Sequence, residues 1–92
     1  MARFTDVKPL LDEAVAKLQA DGFGPEAKRI IAAERTPTAS SSEILGELGL
    51  AILQVLHDVG HLLPREAKRR LRRCLREIRS TWPQIALPAN DR

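Results

Sequence analysis

A chain of 92 residues has room for one domain with a modest core, because folding at that size buries only about two-thirds of the unfolded chain's surface. Its 43% hydrophobic and 29% charged residues exclude the highly charged disordered class, and its single cysteine, Cys74, excludes an internal disulfide and the multi-cysteine zinc sites. The formal net charge of +3 is unevenly spread: residues 1–63 hold six basic and nine acidic groups, whereas residues 64–92 hold nine basic and three acidic.

The chain opens Met1-Ala2-Arg3-Phe4-Thr5-Asp6-Val7-Lys8-Pro9, without the apolar run of a secretory signal. Its longest apolar stretch, Leu48 to Leu56, is too short to span a bilayer, so the expectation is a cytoplasmic protein with no membrane span. Glycine, proline and serine then divide it into four helical segments, and no strand signal appears. Helix 1 is expected over about 7–20, capped by Thr5 or Asp6, with Leu11, Ala14, Val15 and Leu18 on one face and Gly22 as its stop. Helix 2, about 25–35, starts at Pro25 with Glu26 at its positive end and an apolar edge of Ala27, Ile30 and Ile31. Residues 36–42, Thr-Pro-Thr-Ala-Ser-Ser-Ser, read as a flexible linker.

Helix 3, about 42–59 from a serine cap, confines Glu43, Glu47, Gln54, His57 and Asp58 to about a third of its circumference and is apolar elsewhere. That makes it the central helix. Gly46 and Gly49 lower its propensity, which predicts a close approach by a neighbouring helix. Leu50 projects near the polar stripe, where no internal packing requires it, and is the first candidate for a subunit or partner contact.

Helix 4, about 64–81, follows a Gly60-His61-Leu62-Leu63 turn with Pro64 in its first turn. Ala67, Leu71, Cys74, Leu75, Ile78 and Trp82 recur at three- and four-residue steps and form a core-facing stripe, in which Cys74 packs as a small apolar group. Pro83 ends the domain, and residues 84–92 read as a loose C-terminal tail. The fold expected is therefore an all-α four-helix bundle over residues 1–83, whose fourth helix is long, basic and amphipathic.

On that helix Glu66 precedes Arg70 by four residues and Arg73 precedes Glu77 by four, which predicts two local ion pairs. Arg65, Arg69, Arg72, Arg76 and Arg79 instead follow a 4,3,4,3 spacing, which aligns them within about 80° over roughly 21 Å of helix, with Lys68 beside them. Such a row repels itself, and Arg65 lies at the positive end of the helix dipole, so an acidic partner relieves it. Three readings follow: a solvated basic face, an acidic protein surface, or the phosphates of a nucleic acid, which the guanidinium fork matches in a bidentate way. With only Phe4, Phe23 and Trp82 as aromatic residues, base stacking is poorly supplied. A helix-turn-helix register from Gly60 also fails, since it puts Glu66 and Arg69 where apolar residues belong.

Leu56-His57-Asp58-Val59-Gly60-His61 resembles the His-Asp-X-Gly-His stretch of the HD-domain metal-dependent phosphohydrolases, an all-α family in which the His-Asp pair ligates metal. The likeness covers six residues. The family also uses a histidine well upstream and an aspartate well downstream, whereas here no histidine precedes His57 and the only later aspartate is Asp91. The plainer reading is a helix C-terminus with Gly60 in a left-handed turn. There is no glycine-rich phosphate loop, no serine, histidine and aspartate set on a plausible scaffold, and no carboxylate pair in an apolar pocket. The expectation is a non-enzymatic, cofactor-free interaction or regulatory protein, a homodimer, that offers the arginine row to an acidic partner. A nucleic-acid-binding accessory protein is the alternative, and a degenerate HD-type protein a more distant one.

Overall fold

In the computed structural model, which describes residues 4–35 and 41–81, helix α1 spans Phe4–Ala20 and carries Pro9 inside it. The helix begins three residues before the expected Val7. Pro9 forgoes one backbone bond, to the Thr5 carbonyl, and its ring crowds that carbonyl. In return Val7 is fully buried and Phe4 packs against the core, a gain of about 1.5–3 kcal/mol for a buried valine. Lys8 adds an ion pair to Asp12 at 2.9 Å and another to Glu34, at the far end of the next helix. These two carboxylates, Glu34 first, hold the Lys8 ammonium above its usual pKa.

Gly22 ends α1 as the sequence predicts. Its φ of 89° lies in the left-handed region, the Phe23 N–H donates to the Leu18 carbonyl at 2.8 Å, and the Gly22 N–H donates to Gln19 at 3.3 Å. This is the paired capping pattern that satisfies the last carbonyls of a helix. Helix α2 (Gly24–Glu34) starts at once, with proline in its first turn. Helix α3 is Ser41–Val59, so Ser41 and Ser42 belong to it and not to the linker; residues 36–40 of that linker lie outside the described residues. Helix α4 is Arg65–Thr81. Trp82, Pro83 and the tail at 84–92 also lie outside the described residues.

The helices meet in chain order around a ring, α1 with α2, α2 with α3, α3 with α4, and α4 back to α1. Only α1 and α3 also touch across the middle, while α2 and α4 do not meet. Helix α3 thus contacts all three others, and so does α1, against which α4 packs most extensively. The buried set is aliphatic throughout: Val7, Leu11, Ala14 and Leu18 from α1, Ala27 and Ile30 from α2, Leu45, Leu48, Ile52 and Val55 from α3, and Ala67, Leu71, Cys74, Leu75 and Ile78 from α4, closed by Leu63. No strand and no buried charged residue occurs among the described residues.

Gly46 does not serve a close approach. A Cβ added there meets nothing within 4 Å, whereas Gly49 is buried. Gly46→Ala therefore removes a helix-interior glycine without a clash and is expected to raise stability by about 0.5–1 kcal/mol, read as a higher midpoint in urea unfolding. A lower midpoint would show that a neighbour needs the space.

Cys74 has no exposed surface, and burial pushes its thiol up to about 12, with the Glu13 carboxylate adding to the effect. The unfolded thiol ionises near 9.0, so only the unfolded state loses this proton as pH rises from there. Stability should then fall above about pH 9, at up to about 1.4 kcal/mol per unit, and losing the raised-pKa Lys8 ammonium acts in the same direction. A disulfide reagent at pH 8 should label the folded chain about a thousandfold more slowly than the urea-unfolded chain; equal rates would contradict this burial.

Candidate anion-binding face of α4

The apolar stripe of α4 faces inward, and that orientation decides where its cations go. Ala67, Leu71, Cys74, Leu75 and Ile78 are all buried, which leaves two flanks of the helix open. One flank borders α1. There Leu10 and Glu13 of α1 and Arg70, Arg73 and Glu66 of α4 line a groove of about 380 Å³, with Arg69 and Arg76 at its outer edge. Glu66 anchors it, accepting from Arg70 Nε at 3.1 Å and lying 3.9 Å from Arg69 Nη1.

Two expectations change here. Arg73 does not pair with Glu77; it turns into the α1 groove, where Glu13 also lies. Arg69, expected to lack any acidic neighbour, has Glu66 at that long distance, though it stays 81% exposed. A pair so open contributes little, of the order of 0–1 kcal/mol, and leaves Arg69 available.

The other flank is purely cationic. Arg65, Lys68, Arg69, Arg72 and Arg76, all on this one helix, border a shallow, open cleft of about 290 Å³, and no carboxylate lines it. Arg65, Arg69, Arg72 and Arg76 are exposed, so four of the five aligned arginines stand as the spacing predicts. Arg79 leaves the row: it is half-buried, and its Nε is shielded from solvent with no hydrogen-bond partner. Lys68 takes its place in the cleft. From Arg65 to Arg76 the cations cover about 16 Å of helix. Five positive groups on one surface, of which only Arg69 has a carboxylate near, and that at 3.9 Å, raise its potential and favour any fitting anion, most of all a planar carboxylate or a phosphate.

No family model, curated protein or solved structure matches this chain.

In the His57-Asp58 pair the aspartate is bonded to two neighbouring side chains. Asp58 accepts from Gln54 Nε2 at 3.0 Å and from Arg29 Nη1 at 3.1 Å, and these bonds, Gln54 first, hold its carboxyl below the usual range. The second bond ties α3 to α2. His57 and His61 are exposed, and no group of three or more histidine, cysteine, aspartate or glutamate side chains placed to hold a metal occurs among the described residues. Gly60 is not in a left-handed conformation either, since Gly22 is the positive-φ glycine among the described residues. It is buried, and a Cβ there would collide with the Leu56 carbonyl oxygen.

Leu50, singled out from the sequence, is 58% exposed on α3. Leu62 in the α3–α4 turn is the other large exposed apolar residue among the described residues, at 62%, and nothing in the sequence pointed to it because a turn leucine carries no periodic signal. No helix among the described residues is long and apolar enough to cross a membrane.

Proposed function

We propose that this chain is a non-enzymatic interaction protein that offers the α4 cleft to an acidic protein surface. The observation that carries the reading is the cleft itself, lined by Arg65, Lys68, Arg69, Arg72 and Arg76 and by no carboxylate, while Glu66 and Glu13 lie on the opposite flank. Glu66 is engaged by Arg70 and, at 3.9 Å, by Arg69, and no carboxylate lines the outer cleft, so an acid from another molecule would relieve its cations. Guanidinium forks grip carboxylates in pairs of hydrogen bonds, which gives geometric selectivity as well as attraction. Two features favour carboxylates over nucleic-acid phosphates: neither α3 nor α4 carries a phenylalanine, tyrosine or tryptophan for base stacking, and Leu50 supplies an apolar contact of the kind found at protein interfaces.

Retention on immobilised poly-glutamate in low salt, compared with retention on mixed duplex DNA, tests this. Wild-type protein should bind the polypeptide and elute as salt rises, and Arg69→Glu/Arg72→Glu/Arg76→Glu should not bind while keeping its helical circular dichroism. Equal retention of the two proteins would sink the reading. Stronger retention on DNA, lost in the same variant, would replace it with phosphate binding.

A further inference from the structure

The direction of the cation row narrows what can cover it. On α4, Arg65, Arg69, Arg72 and Arg76 fall within about 60° of one another, opposite the buried stripe of Leu71, Cys74 and Ile78. The row therefore runs along the helix axis, not around it, and faces away from the rest of the bundle. All four arginines are exposed. Arg69 and Arg76, two turns apart, border both the outer cleft and the groove shared with α1, so they form a crest between the two. Charge differs on the two sides of that crest. Glu66 and Glu77 project about 90–110° from the row on the α1 side, where Glu13 of α1 also lines the groove. The cleft side holds Lys68 and Arg72 and no carboxylate.

A partner that meets the whole row is thus a straight element about 16 Å long or more, laid along α4 and leaning to the Lys68 side. Its acids have to stand at the heights of the four arginines, about 6, 4.5 and 6 Å apart along the axis. A second α-helix with carboxylates at positions i, i+4, i+7 and i+11 has those heights, because both helices rise about 1.5 Å per residue, and it carries the four carboxylates on one face. The 4,3,4 order reads the same in reverse, so the match holds for either direction of the partner. An extended chain instead presents every second residue, about 6.7 Å apart; three such steps cover roughly 20 Å, and successive acids drift out of level.

We infer that the outer face of α4 receives an acidic α-helix of another protein, whose carboxylates repeat the 4,3,4 spacing of Arg65, Arg69, Arg72 and Arg76. The inference rests on the cleft's preference for carboxylates and adds the shape of the element that brings them. A single exposed ion pair is weak, so affinity here depends on several pairs forming at once, and a shared pitch is what lets them do so.

Fluorescence anisotropy of the full chain with labelled peptides, in low salt, reads the result. Two stapled alanine-based helices share one composition: in one, four glutamates follow the 4,3,4 spacing, and in the other they are spread around the circumference. A third peptide keeps the glutamates of the first but is made non-helical by central prolines. The aligned helix should bind about tenfold or more tightly than either of the others, and less tightly as salt rises. Arg72→Gln should weaken it by about threefold or more, whereas Arg73→Gln, which removes the same charge from the α1 side, should change its Kd by less than about twofold. Equal Kd for the three peptides, or equal effects of the two substitutions, would overturn the acidic helix; if the chain is still retained on poly-glutamate, the cleft's affinity for carboxylates stands. Loss of that retention as well would overturn both. Tighter binding of mixed duplex DNA than of the aligned helix would overturn the helix in favour of phosphates.

Discussion

Leu71→Ala should unfold this protein well below the wild-type midpoint. Leu71 is fully buried at the centre of the α4 stripe, and of its neighbours on that stripe, Ala67, Cys74, Leu75 and Ile78, none is more than 4% exposed. Removing a leucine side chain from such a site forfeits its transfer free energy and leaves a cavity that regular helices close only in part, at a cost of about 2–5 kcal/mol. The whole stability of a domain this size is roughly 5–14 kcal/mol, so the variant gives up a large share. For a domain of this length, a loss of about 3 kcal/mol corresponds to a Tm lower by roughly 12–24 °C. The same substitution at exposed Leu50, in the monomer, should change the midpoint by no more than about 0.5 kcal/mol. Comparable losses at the two sites would mean that α4 is not seated on the core by this stripe.

Gly60→Ala is the second large effect, and its cause is steric. The Gly60 N–H donates to the Leu56 carbonyl at 3.0 Å, and the same carbonyl blocks the place of a Cβ, whose position is also 3.1 Å from the Leu56 carbon. Both obstructing atoms are backbone, so relief requires the end of α3 to move. That end is tied forward: the Leu63 N–H donates to Val59 at 3.1 Å and to Gly60 at 3.3 Å, and the buried Leu63 side chain sets the start of α4. The expected loss is about 2–3 kcal/mol by urea unfolding, typical of overpacking against atoms that cannot turn aside. Gly46→Ala on the same helix should go the opposite way. Two neutral substitutions would contradict both the steric block at Gly60 and the open space at Gly46.

A shift of α4 from the Gly60 change leaves the mutual spacing of its cations intact, because one regular helix holds them, so the Gly60→Ala protein should keep its retention on poly-glutamate.

Much of this was legible in the order of residues. The inward stripe of Ala67, Leu71, Cys74, Leu75 and Ile78, the exposure of Leu50 and the alignment of Arg65, Arg69, Arg72 and Arg76 all follow from about 100° of turn per residue within a single helix, and the stop at Gly22 from glycine's access to a left-handed φ. Relations inside one helix are local, and local geometry is what periodicity reports. The rest depended on which flank of each helix meets which neighbour. That phase turns Arg73 from Glu77 into the α1 groove and gives Asp58 to Arg29. It withdraws Arg79 from the row and leaves open space at Gly46, and it keeps every carboxylate out of the outer cation cleft. No spacing along the chain encodes these, because each is set by the joint burial of sixteen apolar side chains drawn from all four helices and the α3–α4 turn.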